Sequence, residues 1–262
     1  MLVVTALGGS APLPSADATP YPAEVLVGAR AVATLAQEHS VVVAQGGHAT
    51  AAQPGGQTES ALEPALRNEM PGRKLALVGT GEIVRLVPVG PRYADTPDGR
   101  RWADELGWMV VQDGFGFRQA LLSVAPIGVE QLANIRTLVD TGVLVVCAIA
   151  ATAGGAPLQV PDVIIAGELS AAVLAEQIGA DLLMFLIESA RVRLEWGSGG
   201  APRSRPTSVA ALRRTWFAPG SIGAEVQAAC RFAEATGRRA AIGGVTQAFD
   251  LLGGEYGIQV TA

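Results

Sequence analysis

The sequence predicts an α/β fold: a three-layer α/β/α sandwich with a mostly parallel central sheet, helices on both faces and a small β-rich protrusion. Three observations carry that expectation. Short apolar runs rich in β-branched residues alternate with stretches whose apolar residues recur every three or four positions. Glycine-rich turns follow the early strands, at Gly8-Gly9-Ser10 and at Gln45-Gly46-Gly47-His48. Residues 82–123 have a different texture, with brief alternating runs broken by Pro, Gly and Asp.

Residues 2–6 read as the first strand. Pro22 suits the first position of a helix whose apolar face is Val25, Gly28, Val32, Leu35 and Ala36. Residues 41–44 form the next strand. This wiring places both glycine turns at the carboxyl ends of parallel strands, where open α/β sheets put ligands. Residues 51–58, rich in Gly, Gln and Pro, read as loop, and 74–78 as a third parallel strand. The runs 83–89, 108–112 and 117–122 are expected to build the protrusion. Val129, Leu132, Ile135 and Val139 mark a helix that leads into a strand at 143–149.

Residues 163–165 read as a short strand. In 168–178 the period changes: Leu169 and Val173, and Leu174 and Ile178, are spaced four apart, as on buried helix faces. Gly179 is placed to end that helix, being free to take a positive φ. Residues 181–186 and 191–196 read as strands, 202–206 as a linker and 208–216 as a short helix. A longer helix follows, with Ile222, Val226, Ala229, Cys230 and Ala233 on one face; 239–242 and 258–260 close the sheet.

With 262 residues, 49% hydrophobic and 16% charged, the chain is globular and long enough for a substantial core. Net charge is -5 and the basic residues are scattered, so no nucleic-acid footprint is present. Cys147 falls in an apolar strand and Cys230 on a helix, which fits reduced core thiols of an intracellular protein. His39 and His48 are the only imidazoles, and no metal site is expected. The apolar start lacks a basic region and is interrupted by Gly8-Gly9, so it reads as a strand and not a signal peptide. No apolar run approaches the ~20 residues of a membrane span, and a cytoplasmic location is expected. Lys74 is the only lysine. An Arg-rich composition explains a surface without lysine, but Arg does not replace Lys where a compact point charge is required.

The run DVIIAGELSAAVLAEQIGADLLMFLIESARVRLEWG, 162–197, resembles the nucleotide-side half of carbamate kinase, in the amino-acid kinase family. That family writes V-I-D-K-D-L-A-A-x-L-A-E-x-x-x-A-D-x-L-x-x-L-T-x-V-D here. The frame is kept, while the family Lys falls on Gly167 and the closing Val-Asp on Ser189 and Ala190. Glu168 falls where the family has Asp, and Glu188 where it has the Asp of T-D. VVTALGGS resembles the opening V-x-A-L-G-G-N-A, so Gly8 and Gly9 match and Ser10 replaces Asn. VVVAQGGHA resembles the loop H-G-N-G-P-Q: Gly46 matches, and Gln45, Gly47, His48 and Ala49 replace its neighbours.

QTESALEPALRNEMPGRKLALV, 57–78, resembles the family's T-Q-G-x-I-G-Y-x-L-x-x-A-L-x-N-E-L, with 65–69 the close match and the passage before it shortened. The family has a lid at 82–123, with a lysine that this chain lacks; Arg92 and Arg118 lie there instead, either projecting into the cleft or solvated. The glycines of C-x-G-G-G-G-I-P meet Ile149, Ala150 and Ala151, with Gly154-Gly155 further on. FAPGSIGAEVQAACRFAE resembles F-x-x-G-S-M-x-P-K-V-E-A-A-x-x-F-V-E, with Gly220 and Ser221 kept and the family lysine on Glu225.

The resemblance implies one domain over 1–262, a substrate-side half before about Gly142 and a nucleotide-side half from 143. It implies ATP and Mg²⁺ as cofactors, a small-molecule ligand and a homodimer. Gly8, Gly9, Ser10, Glu188, Gly220 and Ser221 would bind the nucleotide; Gly46, Gly47, Arg92 and Arg118 the substrate; His48 and Glu168 would do acid–base work. The bland alternative for the last pair is a loop histidine and a helix-end carboxylate. Phosphoryl transfer rests on positioning and on neutralising charge, and the matching lysines are absent. Three functions follow: a pseudokinase that binds a small ligand or an intact paralogue, a repurposed enzyme acting on a small carbamoyl or carboxyl compound, and an active kinase using arginines from new positions.

Overall fold

The computed structural model describes residues 1–7, 23–45, 62–83, 86–106, 110–122, 126–153, 156–157, 167–187, 205–217 and 222–262. The main sheet is built on five parallel strands: β1 (Leu2–Leu7), β2 (Ser40–Gln45), β3 (Leu75–Ile83), β8 (Leu144–Ala153) and β10 (Leu182–Ile187). Their order is β10-β1-β2-β8-β3. β12 (Ala240–Gly244) continues the parallel run beside β10. β13 (Ile258–Thr261) then pairs antiparallel to β12 and parallel to β11 (Arg205–Ser208) at one edge. Two-residue strands β7 (Gly128–Val129) and β9 (Ala156–Pro157) pair antiparallel to β3 and β8.

The apolar runs are continuous because both faces of the sheet are covered. Val4, Ala6, Val42, Ala44, Val145, Cys147 and Phe185 pack with α4 (Leu132–Asp140), α5 (Gly167–Ile178) and α7 (Gly223–Thr236). The alternate residues Val3, Val41, Val43, Val146 and Met184 pack with α1 (Ala23–Leu35), α2 (Leu62–Glu69) and α8 (Ala248–Gly253). This is the expected α/β sandwich. Gly179 ends α5 at φ 73, as its position predicts.

The protrusion is a separate three-stranded sheet, β4 (Leu86–Ala94), β6 (Gly116–Leu122) and β5 (Val110–Asp113), in the order β4-β6-β5. It also holds a helix that the sequence reading missed, α3 (Pro97–Glu105). The local signal was there: the Thr96 side chain accepts from Gly99 N–H at 3.1 Å, and Pro97 stands at the first helical position. Phe117 is fully buried under Tyr93, and the Arg100 guanidinium lies 4.7 Å from its ring centroid.

Other expectations need correcting. The run 83–89 is not one strand, since β3 ends at Ile83 and β4 begins at Leu86. Val129 belongs to β7 and not to the helix that follows. The expected linker ends in β11, which tolerates Pro206 as an edge strand. The helix expected over 208–216 is only α6 (Val209–Leu212), capped by the Ser208 hydroxyl. The short α8 was not foreseen. Strands expected at 163–165 and 191–196, and the loop at 51–58, lie outside the described residues.

Gly257 enters β13 at φ 70, and a Cβ there would lie 2.5 Å from the Ile242 carbonyl oxygen. Gly257→Ala is expected to destabilise the fold by more than ~1 kcal/mol, seen as a lower denaturant midpoint with an unchanged slope.

Candidate functional site

Parallel strands that leave a common edge define where a ligand can sit. From β1 the chain proceeds through α1 to β2 and onward to β3 and β8; from β10 it proceeds to β12 on the other side. Neighbouring strands β1 and β10 are therefore where the wiring diverges, the switch point at which open α/β sheets bind ligands. Leu7 and Leu186 are in register there. Gly8 follows Leu7 directly, and Glu188 follows Ile187.

Gly8, Gly9, Ser10, Gly46, Gly47, His48, Glu188, Gly220 and Ser221 themselves lie outside the described residues. The strands that lead to Gly8, Gly46 and Glu188 end nearly level, with Leu7 in register with Leu186 and Ala6 with Ala44, while β8 and β3 run on past the end of β2. Helix α5 opens at the same edge, because it runs back to the start of β10. Glu168 is its second residue and is half-buried, where a carboxylate meets the positive end of the helix dipole. Glu225 is the third residue of α7, in its first turn, and only 1% exposed. With Ile222 as N-cap, that is the position from which a glutamate serves a helix start.

Arg92 and Arg118 both converge on Asp113 within the protruding sheet. Arg92 donates from Nε at 3.2 Å and from Nη2 at 3.1 Å to the two carboxylate oxygens. Arg118 Nε lies 2.8 Å from Oδ2 as an ion contact, off the direction of a hydrogen bond. Beside them Arg100 grips Asp95 in a bidentate pair, which holds that carboxyl below its ordinary range. The arginines of this surface thus have carboxylate partners inside their own unit.

Lys74 stands one residue before β3, at the amino end of the sheet, where its carbonyl accepts from Leu144 N–H. Five residues separate it from Gly79, the position level with the end of β2. At a rise of ~3.3 Å per residue that is ~16 Å, more than a lysine side chain spans. Among the described residues no cluster of His, Cys, Asp and Glu could hold a metal ion, and no helix is long and apolar enough to cross a membrane.

Comparison with known proteins gives this geometry a context. The chain is 32% identical over 185 residues to carbamate kinase of Haemophilus influenzae, an alignment that covers 66% of this chain and 57% of that one. It is 34% identical over 224 residues to carbamate kinase of Pyrococcus furiosus, covering 76% of this chain and 70% of that one. The chain belongs to the carbamate kinase family. Carbamate kinase from Giardia lamblia bound to AMP-PNP shares the fold, with a TM-score of 0.67, 22% identity and coverage of 99% of this chain and 98% of that one. No family model matches the chain.

The sequence also predicts its thiol chemistry. Cys147 is fully buried in β8, and burial pushes its thiol from 9.0 up to about 12. Cys230 is free and buried too, and burial raises its thiol as well. At pH 8 neither should react with iodoacetamide until the protein is unfolded. The folded state keeps the Cys147 proton that the unfolded chain releases. The stabilisation from this group is therefore complete below pH 9 and lost between pH 9 and about 12.

Proposed function

We propose that this member of the carbamate kinase family keeps a small-molecule cleft at the carboxyl edge of its sheet and does not carry out ordinary ATP-dependent phosphorylation of carbamate. The observation that carries the reading is the place of Lys74. The one lysine of the chain stands at the opposite edge from the strand ends that lead into the expected ligand loops. A single cation at the transferred phosphoryl group is worth on the order of 10³–10⁵ in rate, and a guanidinium replaces an ammonium only from a position of its own.

The fit of a magnesium-bound triphosphate is poor on the same grounds. Gly167 opens one of the two helices whose starts would face phosphate, and the buried Glu225 lies in the first turn of the other. A carboxylate beside a helix start opposes a polyanion that the dipole alone would attract. Arg92 and Arg118 are engaged by Asp113. What remains is a cleft suited to a small carbamoyl- or carboxyl-bearing molecule, held by backbone amides of Gly8, Gly9, Gly46 and Gly47, with His48 and Glu168 available for proton transfer. The reading includes a cytoplasmic homodimer, with an intact paralogue as a further partner.

The test is a side-by-side assay with the Pyrococcus furiosus relative, in both directions, from ATP plus carbamate and from ADP plus carbamoyl phosphate. Turnover should be at least ~10³-fold lower, and Mg-ATP should leave the melting temperature unchanged. Turnover within tenfold of the relative would sink the proposal. Where some other turnover is found, His48→Ala and Glu168→Gln should each reduce it by ~10²-fold or more.

A further inference from the structure

The chain leaves the protruding sheet along residues 126–131, and this limb is held in an unusual way. Four of its backbone polar groups, the carbonyls of Pro126, Ile127 and Glu130 and the N–H of Val129, are bound by side chains from distant parts of the chain. Arg231 of α7 donates from Nη1 to the Pro126 carbonyl at 3.1 Å, while its Nε and Nη2 pair with Glu176 of α5 at 2.8 and 3.4 Å. Gln177, the next residue of α5, accepts from Val129 N–H at 3.0 Å and donates to the Ile127 carbonyl at 3.5 Å. The Thr80 hydroxyl donates to the Glu130 carbonyl at 2.6 Å.

The limb ends on a strained residue. Gln131 has φ 56, the one non-glycine residue with positive φ among the described residues. Its side chain donates to the Gly79 carbonyl at 2.9 Å. Such a conformation persists where the surroundings over-determine it, and here they do. The unit upstream is packed on its own. Phe117 and Ala103 are fully buried, yet neither belongs to either of the two main cores. A separately packed unit takes its position from its connections, and a connection fixed at this many points transmits a fixed orientation.

We infer that Arg231 and Gln177 are positioning residues, which set where the protruding unit stands relative to the main sheet by clamping residues 126–131. Arg231 is the centre of the clamp, because one guanidinium joins α5, α7 and the limb. This inference concerns geometry alone and stands whether or not the protein is a kinase. Arg92, Arg118 and Asp113 travel with the unit, so the clamp also sets where those charges lie.

The experiment is a distance measurement on the full chain. Spin labels at Phe115→Cys, the fully exposed tip of the protruding hairpin, and at Glu255→Cys on the body report the separation of the two parts. Native Cys147 and Cys230 are buried and do not compete for label. Without further change the distance distribution should be narrow. Arg231→Met should at least double its width, and so should Gln177→Leu, which leaves the Arg231–Glu176 pair in place. Glu176→Gln, which keeps the Arg231 bond to Pro126, should broaden it less. Unchanged widths in both Arg231→Met and Gln177→Leu would overturn the inference. So would broadening that appears only in step with loss of the main-sheet fold, followed by circular dichroism on the same samples.

Discussion

The structure depends on one constraint, the parallel ladder of β10, β1, β2, β8 and β3 with both faces buried. Such a ladder leaves little solvated side, so its strands are mostly apolar on both faces, and each helix must cover its share. β10 meets this demand at all six residues, Leu182–Ile187. The ladder also fixes the ligand edge. Once the strands run the same way, their following turns emerge on one side, and the divergence between β1 and β10 puts there the switch point at which open α/β sheets bind ligands.

The electrostatics of that edge follow from what the chain lacks as much as from what it has. A scaffold of this kind can hold anions with backbone amides and helix starts, but transferring a phosphoryl group demands cations placed against it. Several of the described arginines have partners within the fold. Arg30 pairs with Glu69, Arg213 with Glu234, Arg231 with Glu176, and Arg238 donates to the carbonyls of Gly179 and Ala180 at the end of α5. These contacts hold helices to one another and to the sheet. They are structural uses of positive charge.

The protruding unit shows a different economy. Its small sheet cannot bury a large core, so an aromatic cluster of Tyr93, Trp102 and Phe117 is joined by ion pairs around Asp95 and Asp113. Exposed pairs contribute little singly. Here Arg100 donates to both Asp95 and Gln112 and lies over the Phe117 ring, which makes a network out of individually weak contacts. The clamp on residues 126–131 does the complementary task of joining this unit to the body.

Much of this was legible in the sequence. The period of 168–178, the glycine at 179 and the apolar runs at 2–6, 41–44 and 181–186 specify helices and strands locally, because each signal lies within a few residues of the structure it dictates. The resemblance around 162–197 and 217–234 named the family from the same local frame. Thr96-Pro97 was equally local, and α3 was readable from it. The strand order was not local, nor was the convergence of Arg92 and Arg118 on Asp113, or the meeting of Pro126 with Arg231 across 105 residues. Side-chain identities along the chain determine which segments are helix or strand. Which segment lies beside which, and therefore which charges meet, is decided only when the buried faces choose their partners in three dimensions.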